Sequence, residues 1–186
     1  HTGQHYDEEL SNLFFQELNI PKPNYNLSIG SGTHGKQTGK MIETIEKVLL
    51  EEFPDLVVLF GDTNSTLAGA IAAAKLNIKI AHIEAGMRNY DRKKPEEINR
   101  IMTDHISDFL FTSTKVAVEN LRKEGIIKNV FLVGDTTIDS LYKNISIAEK
   151  KSNILKKNNL YSKEYFLLTL HKQKNTDSKK RLETII

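Results

Sequence analysis

The sequence contains no cysteine and no tryptophan, and only four of its 186 residues are proline. The absence of cysteine excludes disulfide bonds, thiolate zinc sites and thiol nucleophiles, and it agrees with a reducing compartment. No apolar run approaches the roughly 18 to 20 residues that a membrane-spanning helix needs. We therefore expect a soluble, cytoplasmic protein that has no membrane partner.

The chain also lacks an excess of charge of either sign. Its 26 lysine and arginine residues stand against 24 aspartate and glutamate residues, which gives a formal net charge of +2. A surface that binds nucleic acid is normally marked by a concentration of basic residues, and this balance provides none. Lysines concentrate only between residues 149 and 157, a pattern typical of a solvated linker. We expect no nucleic-acid partner.

The two ends of the chain predict a fragment of a longer protein. The first residue is His1 rather than methionine, and the last residues are the apolar Ile185 and Ile186. These two isoleucines lie in a segment that is predicted to form a helix with incomplete packing. The length suffices for one domain, or for one domain and part of another.

Short apolar runs alternate with segments of helical periodicity. This order predicts an α/β fold with a mainly parallel sheet. The predicted strands are residues 56–60, 79–83, 109–112, 129–133 and 165–170. The predicted helices are a segment from about Leu10 to Leu18, one around Met41 that Pro54 ends, residues 65–75, 96–107 and 115–123, and one from about Thr136.

The same pattern predicts the division into domains. We expect a first α/β domain over residues 1–148 that is incomplete at its start, a linker over residues 149–163, and the beginning of a second α/β domain over residues 164–186. The lysine- and asparagine-rich stretch separates the two.

Polar residues follow the predicted strands at the edge of the sheet where ligands bind. In open parallel sheets that edge lies beyond the carboxyl ends of the strands. Asp62, Glu84 and His171 each come just after a predicted strand, and Glu96 begins the helix that follows Glu84. Three carboxylates and one histidine at such an edge form a candidate acid/base set.

Structural roles compete with catalytic ones for some of these residues. Asp62 or Ser65 can cap the next helix by accepting its free N–H groups. Glu96 can complement the dipole of a helix that begins at Pro95. Glu84 has no comparable capping role, which favours a functional one.

Other chemistries have less support. Asp104, His105 and Asp108 could suggest a metal site, but helical spacing places His105 on the same side as Ile98, so a packed histidine is favoured and no metal is expected. The segment Gly30–Gly35 is glycine-rich without the phosphate-loop lysine. The dinucleotide fingerprint and the serine-hydrolase elbow are also absent from the sequence, so hydride transfer and serine hydrolysis lose support and no cofactor is expected.

The motifs at these positions resemble those of the non-hydrolysing UDP-N-acetylglucosamine (UDP-GlcNAc) 2-epimerase family, in the family's order through almost the whole chain. The matching segments are Thr2-Gly3-Gln4-His5, Gly30-Ser31-Gly32 with Gln37-Thr38, Gly61 to Thr66, His82 to Arg88, Pro95 to Arg100, and Leu170-His171. The resemblance implies two Rossmann-like domains in the GT-B arrangement, with substrate in the cleft between them. It also implies that this chain lacks the family's first strand and most of the C-terminal, nucleotide-binding domain.

The resemblance further implies a reaction and its residues. The family interconverts UDP-GlcNAc and UDP-ManNAc by eliminating UDP and adding it back after a proton reaches the other face of C2, which supplies precursors of surface polysaccharides. The catalytic residues implied by position are Asp62, Glu84, Glu96 and His171. The substrate-binding residues implied are Gln4, Gln37, Thr63, Arg88, Arg100, Lys172 and Asn175. The implied partners are a UDP-sugar and a second subunit of a homodimer, with no cofactor and no metal.

The sequence departs from the family pattern in one segment. The family usually follows the histidine with Arg and then a Glu-Asn pair, where this chain has Lys172-Gln173-Lys174-Asn175. Lysine keeps the charge but loses the planar fork that binds phosphate through two hydrogen bonds. In some members that arginine and glutamines at the positions of Gln4 and Gln37 form an allosteric site, and the lysine argues against one here.

Three alternatives stay beside the leading hypothesis. A close variant acts on a UDP-diacetamido-uronic acid. A GT-B glycosyltransferase shares the architecture but does not need three carboxylates in one domain. The isolated fragment could also be a folded module without activity. Incorporation of deuterium at C2 separates an epimerase from a transferase.

Overall fold

A parallel sheet of four strands organises the computed structural model of the chain. The strands are β1 (Leu56–Phe60), β2 (Lys79–Ile83), β3 (Phe109–Thr112) and β4 (Val130–Leu132), and they lie side by side in the order of the sequence. Each neighbouring pair is parallel. The structure describes residues 1–3, 12–161, 164–170 and 173–186, with the side chains of residues 12–14 and 173–174 left aside. The predicted parallel α/β sheet is confirmed.

The described helices are α1 (Asn12–Glu17), α2 (His34–Glu52), α3 (Asn64–Lys75), α4 (Pro95–Ile106), α5 (Lys115–Lys123), α6 (Thr136–Lys151), α7 (Ile154–Lys157), α8 (Gln173–Thr176) and α9 (Lys179–Ile185). Of these helices, none is both long and apolar enough to cross a membrane. Helix α2 ends where Phe53 turns into the left-handed region, one residue before Pro54.

The cap of α3 corrects an expectation. The N-cap is Thr63, whose side-chain oxygen accepts a hydrogen bond from the Thr66 N–H at 3.4 Å, rather than Asp62 or Ser65. Thr63 is the last residue with extended backbone before the helix, so its hydroxyl is the one that reaches the free N–H groups. The Asp62 carboxylate is therefore not needed for capping.

Small residues bring α3 against the sheet. Ala68, Ala70 and Ala73 are completely buried. Gly69 faces β1 so closely that a Cβ atom there would lie 2.8 Å from Leu59 Cδ2. The Thr66 hydroxyl donates to the Phe60 carbonyl at 2.6 Å, which fixes the first turn of α3 at the carboxyl end of β1.

The N-terminal residues extend the core beside α2. The backbone N–H groups of Leu27 and Gly30 donate to the carbonyls of His1 and Gly3, at 2.9 and 3.0 Å. Ile29 then packs in a buried cluster with Met41 of α2 and Ala68 of α3. The extended segment before α2 is thereby joined to the same core as the sheet.

The chain forms two compact units, His1–Leu141 and Tyr142–Ile186. The second unit contains the rest of α6 together with α7, α8 and α9. The predicted strand over residues 165–170 is wrong: these residues carry no strand pairing, and Phe166 and Leu167 are exposed. A strand needs a neighbour for its N–H and C=O groups, and the described residues of this unit supply none. The predicted domain limits at residues 148 and 163 stay predictions.

Candidate active site

The turns that follow β1 and β2 lie side by side. The Gly61 N–H donates to the Ile83 carbonyl at 3.1 Å, which joins the two strand ends. Glu84 comes next with φ 70°, in the left-handed region that is costly for a residue with a Cβ atom. A Cβ on Gly61 would lie only 3.7 Å from Glu84 Oε2, so the carboxylate rests against the Gly61 backbone. The fold thus brings Glu84 beside the Gly61–Asp62 turn.

The surroundings of Glu84 favour its protonated form. Burial raises the pKa of this carboxyl above its usual range, and repulsion from Asp135 and Asp62 raises it further. The positive charges of His82 and Arg100 oppose the shift without cancelling it. No described residue donates a hydrogen bond to this carboxylate. A half-buried carboxyl with a raised pKa at a sheet edge is a candidate for exchanging protons with a ligand.

Asp62 is oriented by an arginine from the opposite helix. Its carboxylate forms an ion pair with Arg100 Nη2 of α4. Arg100 Nη1 lies 3.5 Å from Glu97 Oε2, and the Asn99 amide donates to the Asp62 carbonyl at 2.9 Å. The Asp62 side chain is 34% exposed, so the pair leaves the carboxylate accessible. Of the predicted site residues, Asp62, Glu84 and Arg100 are brought together.

A series of hydrogen-bonded amide side chains supports this arrangement. Gln37 donates to the Gly30 carbonyl at 2.8 Å, and Asn64 Nδ2 donates to Gln37 Oε1 at 2.9 Å. Asn99 Nδ2 donates in turn to Asn64 Oδ1 at 3.2 Å. Gln37 is buried, and this series of hydrogen bonds joins the N-terminal turns of α2, α3 and α4. Substrate contacts by Gln37 and Thr63 stay predictions.

The two glutamates that begin α4 differ. Pro95 occupies the first position of the helix, as predicted. Glu96 is exposed there, whereas Glu97 is 1% exposed. The Glu97 carboxylate accepts hydrogen bonds from the backbone N–H groups of Asn89 and Tyr90, at 3.0 and 2.7 Å. Glu97 thus holds the loop between β2 and α4 against the helix, a role that its sequence position does not reveal.

A second polar group centres on the buried side chain of Arg88. Arg88 donates to both carboxylate oxygens of Glu124 and to Asp104 Oδ2, each at 2.7 Å. Burial alone would lower the pKa of this guanidinium, but hydrogen bonds and charge attraction from Glu124 and Asp104 raise it overall. The Arg88 side chain is 0% exposed. Direct binding of substrate by Arg88 stays a prediction, while its observed contacts join the loop after β2 to α4 and α5.

His105 corrects a second expectation. It is not packed: its side chain is 46% exposed, with Nε2 3.2 Å from Glu124 Oε2. The reason is that α4 buries the polar side chains of Asn99, Thr103 and Asp104, while Ile98 on the predicted inner face is exposed. Among the residues that the structure describes, no group of three or more metal-ligating side chains occurs.

Asp135 is a further candidate that sequence reasoning left unassigned. It follows β4 and accepts a hydrogen bond from the Thr137 N–H at 2.8 Å. It is exposed, and its charge is the largest electrostatic contribution to the raised pKa of Glu84. The signal was available, because Asp135 follows a predicted strand just as Asp62 does.

Several predicted residues cannot be placed in this arrangement. Gln4, His171 and Lys172 lie outside the described residues. Asn175 lies in α8 of the second unit. The roles of all four stay predictions.

Comparison with known proteins decides the family. The family model described as UDP-N-acetylglucosamine 2-epimerase matches residues 1–186. The chain belongs to this family. It is 59% identical to the UDP-N-acetylglucosamine 2-epimerase homolog of Methanococcus maripaludis, a match that covers 100% of this chain and 52% of that protein. It is 48% identical to the UDP-2,3-diacetamido-2,3-dideoxy-D-glucuronate 2-epimerase of Pseudomonas aeruginosa, with the same coverage of both chains.

Solved structures of the epimerase family share the fold. The crystal structure of Methanocaldococcus jannaschii UDP-GlcNAc 2-epimerase in complex with UDP-GlcNAc and UDP superposes with a TM-score of 0.89 at 56% identity, covering 100% of this chain and 51% of that one. The chain therefore spans about half the length of the relatives that it matches. The predicted family resemblance and Rossmann-like fold class are confirmed.

Proposed function

We propose that the full-length protein is a UDP-GlcNAc 2-epimerase, an isomerase that interconverts UDP-GlcNAc and UDP-ManNAc in the cytoplasm. The observation that carries this proposal is the pair of carboxylates at the carboxyl edge of the sheet. Glu84 has a raised pKa and no hydrogen-bond donor among the described side chains, and beside it Asp62 is held by Arg100. Family membership supplies the substrate class, and the absence of cysteine supports the compartment.

The chemistry explains why two carboxylates of different surroundings are needed. The C2 proton of the sugar is only weakly acidic, so a positioned base must remove it while the C1–O bond breaks. The C2–H electron pair forms the C1–C2 double bond of a 2-acetamidoglucal, and the C1–O pair leaves with UDP. An acid must later return a proton to C2 from the opposite face as UDP adds back. Two carboxylates that lie in different surroundings suit such complementary roles.

The remaining parts of the site are assigned by family membership. In the proposal, Glu96 at the exposed start of α4 is the third catalytic carboxylate, and His171 assists the departure of UDP. Gln4, Lys172 and Asn175 bind the nucleotide sugar, together with a C-terminal domain that begins near residue 164. The full-length protein acts as a homodimer without a cofactor.

Deuterium exchange tests the proposal. Full-length protein incubated with UDP-GlcNAc in D2O is expected to form UDP-ManNAc that carries deuterium at C2. Glu84→Gln should slow this reaction at least ~100-fold, since a positioned acid or base contributes about that much. The matched control is Glu119→Gln, an exposed glutamate paired with Arg122 on α5. Transfer of the sugar to an acceptor without exchange at C2 would instead indicate a glycosyltransferase.

A second candidate is favoured by one relative. The 48% identity to the UDP-2,3-diacetamido-2,3-dideoxy-D-glucuronate 2-epimerase of Pseudomonas aeruginosa supports a UDP-diacetamido-uronic acid as substrate. The two sugars share the C2 chemistry and differ at C3 and C6. Comparing kcat/KM for the two substrates with the same full-length preparation decides between them.

A further inference from the structure

A fully buried histidine links the strand ends to the interior. His82 lies on β2 and is 0% exposed. Its Nε2 atom is 2.7 Å from the Gly61 carbonyl oxygen, and its Nδ1 atom is 2.7 Å from Asp104 Oδ1. Gly61 immediately precedes Asp62, and His82 is two residues before Glu84. The histidine therefore touches the backbone that carries both candidate catalytic carboxylates.

The hydrogen bonds assign the protons of this ring. A carbonyl oxygen only accepts, so Nε2 carries a proton and donates to Gly61. Asp104 Oδ2 accepts from the Gly86 N–H at 3.0 Å and from Arg88 at 2.7 Å, as an ionised carboxylate does. An Asp104 carboxylate that these two donors keep ionised would accept a hydrogen bond from Nδ1 through its other oxygen, 2.7 Å away. A ring that donates from both nitrogens is an imidazolium.

The charges around the ring are balanced. The groups that face it and its partner are Asp104 from α4 and Arg88 from the loop after β2, and Arg88 is paired in turn with Glu124, which His105 also contacts. Two buried cations are thus matched by two carboxylates. Replacing a complete buried set of this kind by well-packed apolar side chains is often neutral or stabilising. The presence of these buried charges is therefore weak evidence for a purely stabilising role.

We propose that His82, held as an imidazolium by Asp104, is a positioning residue for the proton transfers at C2. Its Nε2–H bond fixes the Gly61 carbonyl and so the orientation of the Asp62 turn. Its positive charge favours the ionised form of the Glu84 carboxylate, whereas the negative charges of Asp62 and Asp135 oppose that form. The proposal rests on the epimerase function proposed above.

Substitution in the full-length protein separates positioning from packing. His82→Gln retains an amide donor for the Gly61 carbonyl but removes the charge. We expect kcat to fall about 10- to 100-fold with a smaller change in KM, because an amide that reaches Gly61 cannot also replace the contact of the ring with Asp104, and the turn that carries Asp62 is then held less firmly. The limb of the pH profile of kcat that reports Glu84 should move to higher pH, because the nearby positive charge is lost. Thr103→Val is the matched control: its hydroxyl, next to Asp104, is buried without a partner among the described residues, so activity and profile should be unchanged.

The protonation state of the ring can be measured directly. Nitrogen-15 NMR of histidine in the wild-type protein should show one ring with both nitrogens protonated, and its signals should be missing from the His82→Gln spectrum. A neutral ring at His82 would overturn the proposal, as would a His82→Gln variant whose kcat and pH profile match the wild type or whose only change is in thermal stability. Absence of C2 exchange in the wild type would instead contradict the proposed function, whatever the NMR result.

Discussion

Helix α4 supplies one member to each of two aspartate–arginine pairs, and the pairs differ in burial. Arg100 meets Asp62 after β1, and Asp104, one turn further along the helix, meets Arg88 after β2. The Asp104–Arg88 pair is 0% exposed at both side chains, whereas Asp62 is 34% and Arg100 14% exposed. The same chemistry thus occurs once inside the protein and once at the mouth of the candidate site.

The difference in burial separates a supporting role from the proposed catalytic one. A carboxylate enclosed by Arg88, His82 and the Gly86 N–H has no access to a ligand, so Asp104 can only hold the loops in place. Asp62 is held through one ion pair and keeps an open side, so it can meet a substrate. Burial therefore distinguishes the two roles where residue type does not.

The largest effect is expected from breaking the enclosed pair. Asp104→Ala leaves Arg88 and His82 buried without their shared carboxylate, and removing one partner of a buried ion pair costs about 3–5 kcal/mol. Asp62→Ala removes a partly exposed partner and should cost about 0–1 kcal/mol. Chemical denaturation of the full-length variants measures both. Equal losses of unfolding free energy would show that burial does not separate the two pairs.

For the partly exposed Asp62–Arg100 pair, we expect a large effect on turnover and a small effect on stability. Asp62→Asn is expected to lower turnover at least ~100-fold, as removal of a positioned acid or base does. Its unfolding free energy should change by less than about 1 kcal/mol. Asp91→Asn is the control, because Asp91 is similarly exposed and pairs with Lys94. Near-normal turnover of the Asp62 variant would remove Asp62 from the catalytic set.

The strands of the first unit could be predicted because the apolar pattern of each segment agrees with its place in the sheet. Residues 56–60, 79–83 and 109–112 are the observed bounds of β1, β2 and β3. Each is a short apolar run between turns, as strands of a parallel sheet are. The run at residues 165–170 has the same appearance but no paired neighbour, and pairing is a property of two segments that one segment cannot reveal.

The site was predictable only in part, for the same reason. Asp62 and Glu84 stand out because each follows a strand. His82 and Asp104 are 22 residues apart, and their contact depends on which face of α4 is buried. Periodicity indicated the apolar face, whereas the structure buries the polar one, with Glu97 and Asp104 inside. The supporting network was therefore missed, whereas Asp62 and Glu84 could be named as candidates.

A smaller effect is expected at acid pH. The Arg88 hydrogen bond lowers the pKa of Glu124 below its ordinary value near 4.5, with burial opposing. A lowered pKa stabilises the folded state above the ordinary value, and that stability is lost as the pH falls through the folded value. Wild-type unfolding free energy should fall below about pH 4.5 more steeply than that of Glu124→Gln, which starts lower at neutral pH by about 1 kcal/mol or less. Parallel pH curves would contradict the assignment.

The smallest expected effect has the opposite sign, and it concerns Glu84. Burial, and then repulsion from Asp135 and Asp62, raises the pKa of this carboxyl, so the folded state binds its proton more tightly than the unfolded state does. Ionisation at neutral pH therefore destabilises the fold, and stability is regained as the pH falls through the raised pKa. Glu84→Gln removes the charge and should raise the thermal midpoint at pH 7.5 by on the order of 1–3 °C, a small gain because water screens the partly exposed group. The gain should vanish near pH 4, where the wild-type carboxyl is protonated too. A variant that is less stable than the wild type at pH 7.5 would mean that the Glu84 carboxylate is stabilised where it lies, and that its ionisation is not opposed by the site.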